Sequence, residues 1–153
     1  MRDWTLLRLD LIAAALALLA MPAGALPIRN PPPPLVITHD GGGRVDRMAA
    51  RIERLQAEGR QVEIAGECVS ACTMYLAIAC VRPEARLTFH GPSYYGWPLN
   101  AYDFDHWSRV IAAHYPPPLA DWFMGTARHR NLVPLPPLGQ AQLVKMGARA
   151  CGG

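Results

Sequence analysis

Gly66-Glu67-Cys68-Val69-Ser70-Ala71-Cys72-Thr73 is the stretch on which the fold turns, and Phe89-His90-Gly91-Pro92 follows its serine by twenty residues. Just before it, residues 61–65 alternate so that Val62 and Ile64 face one way, which predicts a strand. Gly66 opens a turn that runs through Cys68 and Ser70. Residues 71–79 are small and apolar throughout and predict a helix buried on most sides. A serine at such a bend has two assets. Its hydroxyl is held at a sharp corner, and the helix start behind it presents free N–H groups to a developing oxyanion. Residues 85–89 read as the next strand, and a histidine at its end can accept the serine proton. The plain alternative is that Ser70 only caps the helix and His90 is a half-buried structural residue.

Upstream, residues 35–38 form a β-branched run that predicts a buried strand, ended at Asp40 by the turn Gly41-Gly42-Gly43. That turn can bring backbone N–H groups close to a substrate because no side chain intervenes. Val45, Met48, Ala49, Ile52 and Leu55 then recur at helical spacing over residues 44–58, and Gly59 stops the helix. Downstream, Arg82-Pro83-Glu84 marks a turn and residues 93–100, rich in Tyr, Gly and Pro, a loop. Helices are expected over 102–115, 119–130 and 139–146, separated by the prolines at 116–118 and a proline-rich loop at 132–138. Strand alternating with helix predicts an α/β domain with parallel strands and flanking helices.

The N-terminus reads as an export signal. Arg2 and Arg8 precede an unbroken Leu, Ile and Ala run from Leu11 to Ala20, and Ala23-Gly24-Ala25 offers the small residues of a cleavage site. The run is about ten residues, against roughly 20 needed to span a bilayer, so no stable membrane anchor is expected after cleavage. The expected organisation is a signal peptide at 1–25, a proline-rich linker at 26–34 and one domain at 35–153, placed in the periplasm or outside the cell. Four cysteines, Cys68, Cys72, Cys80 and Cys151, follow the signal, and an even count in an exported chain favours disulfides. Three pairings exist. Opposite ends of an α-helix would hold Cys72 and Cys80 roughly 12 Å apart, beyond bridging reach, which disfavours that pair and leaves the rest open. The net charge is +3 with Lys145 the single lysine, and no basic block points to nucleic acid. The glycine turn lacks both the Lys-Ser/Thr of a P-loop and the spacing of a dinucleotide site.

The order of Leu35-Val36-Ile37, Gly41-Gly42-Gly43, Gly66 to Cys72 and Phe89-His90-Gly91-Pro92 resembles the Clp protease proteolytic subunit and the wider Clp–crotonase superfamily, including small exported bacterial relatives with a Ser-Ala-Cys motif. Leu138 to Gly147 is similar to that family's closing helix. The resemblance implies a Clp/crotonase-like βαβ core, with Ser70 as nucleophile and His90 as general base. The N–H groups of Gly42, Gly43 and Ala71 would form the oxyanion hole. It implies no cofactor, a peptide or protein substrate, and a homo-oligomer, since relatives form rings or trimers. The family's third triad member is an aspartate shortly before the closing helix. Here no acidic residue follows Asp121, and the matching position is near Asn131. An asparagine can orient the imidazole but stabilises an imidazolium poorly. Asp103, Asp105, Asp121 and, for a dyad, Lys145 are weaker substitutes. Two rival functions follow: a catalytically retired domain that binds a peptide or protein through Tyr94, Tyr95 and Trp97, and a copper(I) or zinc site built from Cys68, Cys72 and His90.

Overall fold

The structure is a computed structural model that describes residues 32–130 and 135–152. The expected signal peptide at 1–25, most of the linker, and Asn131 lie outside the described residues. The rest is a single α/β domain with a curled, mostly parallel sheet. In chain order it runs β1 (Leu35–Asp40), α1 (Val45–Ala57), β2 (Val62–Val69), a 3₁₀ helix (Ser70–Ala77), β3 (Ala79–Val81) and β4 (Arg86–Thr88). There follow α2 (Ala101–Ala112), α3 (Pro117–Gly125), a short 3₁₀ turn (Ala127–His129), β5 (Leu138–Gly139), α4 (Gln140–Lys145) and β6 (Arg149–Ala150).

β2 is the axis of the sheet. β1 pairs along one side of it, while β3 takes the other side from Val62 to Ile64 and β4 takes over from Glu67 to Val69. This change of partner part-way along one strand divides the sheet: β6 continues beyond β3, and β5 beyond β4. Between the two halves β2 carries a bulge. Ile37 pairs with Ile64 but His39 with Glu67, so one more residue is used on β2 than on β1. Gly66 sits in that bulge, where a Cβ would lie 2.0 Å from the Thr38 carbonyl oxygen. Only glycine fits there.

α1 forms as its periodicity predicts and buries Met48, Ile52 and Leu55. The 3₁₀ helix contributes a continuous buried run from Ala71 to Leu76, and α3 adds Leu119 and Phe123. Phe89, Tyr115, Trp122 and Phe123 meet edge to face at 5.4–5.6 Å between ring centroids, contacts worth about 0.5–1.5 kcal/mol each beyond their burial. Since Phe89 directly precedes His90, this cluster anchors the backbone that carries the histidine.

Several expectations need correction. Residues 71–79 are buried as expected but are not an α-helix: a 3₁₀ helix covers Ser70–Ala77. The Thr73 hydroxyl donates to the Ser70 carbonyl at 2.7 Å, a local side-chain bond that competes with the regular α-helical ladder. The strand at 35–38 is an edge rather than a buried strand, with Ile37 its one fully buried residue. The sheet is not wholly parallel, because β5 runs antiparallel to β4. The helix expected to reach residue 130 stops at Gly125. β3, β5 and β6, each of two or three residues, carry no periodicity to read.

The cysteines pair as Cys68–Cys72 and Cys80–Cys151, with Cα separations of 5.4 and 4.9 Å. No cysteine is free. Disulfides belong to oxidising compartments, and no helix among the described residues is long and apolar enough to cross a membrane.

Candidate active site

In a parallel sheet the residues that follow the carboxyl ends of neighbouring strands gather at one edge, where ligands bind in α/β folds. β1 ends at Asp40 before the glycine turn, β2 at Val69 before Ser70, and β4 at Thr88 two residues before His90. All three strand ends open on one groove of about 740 Å³. Ser70, His90 and Gly43 line it, with Val45, Leu99, Trp107 and Ile111 as its apolar wall. The serine and the histidine therefore face the same space.

Ser70 is not a helix cap. Val69 holds the cap position and no side chain closes the helix start. Instead Ser70 is the first helical residue, with φ of +60°. An L-residue in the left-handed region costs about 1–2 kcal/mol, and such conformations concentrate at functional sites. Three features hold this corner. Cys68, one position from the end of β2, is bonded to Cys72 in the helix. Closing so short a loop restricts the unfolded chain by about 2 kcal/mol, comparable to the cost of the backbone. The Thr73 hydroxyl holds the Ser70 carbonyl and in turn accepts from the Tyr115 hydroxyl at 2.5 Å. Burial raises the Tyr115 pKa well above the ordinary phenol value, so that hydroxyl remains a donor. Finally Gly42 packs on the corner so closely that a Cβ would lie 2.6 Å from the Val69 carbonyl oxygen and 2.8 Å from the Ser70 Cβ.

The backbone strain predicts a measurable asymmetry. Ser70→Gly should unfold in urea at higher stability than Ser70→Ala, by about 1 kcal/mol, because glycine takes a positive φ without penalty. Equal stability of the two variants would show that residue 70 is not left-handed in solution.

The Ser70 hydroxyl forms no hydrogen bond with a described residue, and none joins it to His90. The His90 Nδ1 lies 2.8 Å from the Gly91 carbonyl oxygen. A carbonyl only accepts, so Nδ1 carries a proton, and in the neutral imidazole Nε2 is the nitrogen with the lone pair. Orienting the imidazole is the role that the sequence suggested for Asn131. Gly91 precedes Pro92, which restricts it to extended conformations and so aims that carbonyl. No sequence signal marks a backbone carbonyl, so the part Gly91 plays is visible only in the structure.

The three expected oxyanion donors separate. The Gly42 N–H donates to the Asp40 carboxylate at 2.8 Å and is committed to its own turn. Gly43, with φ of +135°, lines the groove. Ala71 is buried and, as the second residue of the helix, has no intrahelical acceptor for its N–H. At the rim Arg44 donates to Asp46, whose pKa is held at about 2 chiefly by that bond, so both stay charged. Asp103 binds its own helix start through Asn100, and Asp105 is paired with Arg109 and Arg128. Neither these nor Asp121 lines the groove. The Cys68–Cys72 disulfide consumes both thiolates that a Cys68, Cys72 and His90 metal site would require.

Tyr94-Tyr95-Gly96-Trp97 forms a tight hairpin at the groove mouth. Tyr94 and Trp97 exchange two backbone hydrogen bonds of 2.9 Å, and Tyr95 and Gly96 both take positive φ, the pattern of a type I′ turn. It holds three aromatic side chains in solvent, Tyr94, Tyr95 and Trp97, at 66%, 88% and 74% exposure.

No protein-family model matches this chain, and no curated protein matches it as a relative.

Proposed function

We propose that the chain is an exported serine hydrolase with a Clp/crotonase-like core, acting on a peptide or related acyl substrate. The observation that carries this reading is the shared groove: Ser70, at a left-handed corner and with a hydroxyl unbonded among the described residues, lines the same groove as His90, whose neutral tautomer leaves Nε2 as the acceptor. In the proposed reaction the Ser70 Oγ attacks the substrate carbonyl carbon and its proton passes to His90 Nε2. The oxyanion meets the N–H groups of Gly43 and Ala71. Collapse expels the leaving group, which takes the proton from His90, and water then cleaves the acyl-serine by the same route. Catalytic hydrogen bonds are often long without substrate and tighten on binding, which accommodates the missing Ser70–His90 bond.

A carbonyl behind the imidazole orients it but contributes no full charge to the imidazolium. Turnover is therefore expected to be slow, and activated acyl compounds to be better substrates than amides. Purified protein lacking residues 1–25 should be labelled covalently by a fluorophosphonate. Ser70→Ala should abolish labelling, and His90→Ala should slow it by about 10²- to 10⁴-fold. Labelling that persists in Ser70→Ala would remove the serine from the mechanism.

The aromatic hairpin supports a second reading, a binding domain that holds an extended peptide without cleaving it. Exposed Tyr and Trp beside a groove supply large contact area at little entropic cost. Peptide binding that survives Ser70→Ala in a protein no fluorophosphonate labels would favour it. Under either reading the two disulfides support export to an oxidising compartment. Assembly into a homo-oligomer remains a proposal from the family resemblance.

A further inference from the structure

We propose that the Cys68–Cys72 disulfide is a positioning device for Ser70, a strap that forces the left-handed corner on which the nucleophile stands, while Cys80–Cys151 serves stability alone. The inference rests on the hydrolase reading for its catalytic consequence, but the conformational claim stands separately.

The two bonds differ in what they enclose. Cys68–Cys72 closes a loop of four-residue separation whose interior is Val69, Ser70 and Ala71; Cys80–Cys151 spans 71 positions and encloses most of the domain. Five residues of continuing strand would place the first and last Cα roughly 13 Å apart. The bond holds them at 5.4 Å, so β2 cannot continue through Ser70 and must turn back at once. The anchor at its strand end is firm, because Cys68 pairs with Asp40 of β1 on one side and Leu87 of β4 on the other. Ser70 lies midway between the two sulfurs' residues and carries the positive φ.

Both cysteines are fully buried. A bond shielded from dissolved thiols is unsuited to exchange, which separates a strap from a redox switch. The Thr73–Tyr115 chain fixes the Ser70 carbonyl from the helix side but does not bend the chain at Ser70. The bend is assigned to the disulfide.

The test compares Cys68→Ala/Cys72→Ala with Cys80→Ala/Cys151→Ala in protein lacking residues 1–25. Two readouts are taken at a temperature where each is folded: the fluorophosphonate labelling rate per folded molecule, and the intraresidue HN–Hα nuclear Overhauser effect of Ser70, which is strong only for positive φ. Loss of the first bond should weaken that effect and slow labelling at least about tenfold, the scale of a small misplacement of a reacting group. Loss of the second should change neither. A Ser70 that keeps its strong effect without the Cys68–Cys72 bond overturns the proposal, whatever the labelling rate. If the first variant does not fold, adding Ser70→Gly should restore folding, since glycine needs no strap; failure to do so also overturns it. If the unmodified protein is never labelled, the hydrolase reading falls while the Ser70 signal still decides on the strap.

Discussion

Gly66→Ala is expected to lower the stability of the domain by more than about 3 kcal/mol, at the upper end of what forced overpacking costs. The added Cβ would lie 2.0 Å from the Thr38 carbonyl oxygen and 2.8 Å from its carbon. Both are backbone atoms of β1, so no side-chain rotation relieves the contact. β1 must separate from β2, and the bulge that lets β2 serve β3 first and β4 second is lost with it. A domain of this size has about 5–15 kcal/mol in all, so Gly66→Ala should accumulate as insoluble or protease-sensitive protein. Gly125→Ala is the matched control. A Cβ there meets nothing within 4 Å, and the position ends α3. It should be neutral or stabilising by up to about 1 kcal/mol. Urea midpoints of the two variants provide the comparison. A Gly66→Ala midpoint within error of the parent would refute the close approach of β1 and β2.

Removing the Cys80–Cys151 bond by Ala substitution at both positions should cost about 4 kcal/mol through the long loop it closes. For a domain of this length that is a fall in Tm of about 15 °C. The bond secures the end of the chain. β6 is two residues long and pairs only with β3 among the described strands. Its other attachments are the Cys151 N–H, which donates to the Val81 carbonyl at 3.0 Å, and the Arg149 guanidinium on the Ile78 carbonyl. These bonds alone do not offset the entropy of ordering the terminus. A Tm within about 4 °C of the parent would mean that β6 holds without its staple.

The sequence is informative where a pattern repeats or a residue type has few uses. The helical spacing of Met48, Ile52 and Leu55 reports a face that packs wherever the helix docks, and α1 forms with that face buried. Three glycines after a β-branched run predict a turn, and Gly42 and Gly43 occupy it with positive φ. An even number of cysteines implies bridging, and all four are bridged. The placement of Ser70 and His90 after β2 and β4, which pair in parallel, puts both at the same edge of the sheet.

The remaining features depend on closure in space. β3, β5 and β6 are strands only because β2, β4 and β3 present them with free backbone groups, and two or three residues cannot show a period. The pairing of the cysteines, the sign of φ at Ser70 and the carbonyl that selects the His90 tautomer are set by which atoms arrive together. Side-chain identity encodes local preference and burial, and these determined the class of fold and the edge where a site can form. Distances between groups far apart in the chain are fixed by packing alone, and it is packing that brings Ser70 and His90 into the lining of one groove.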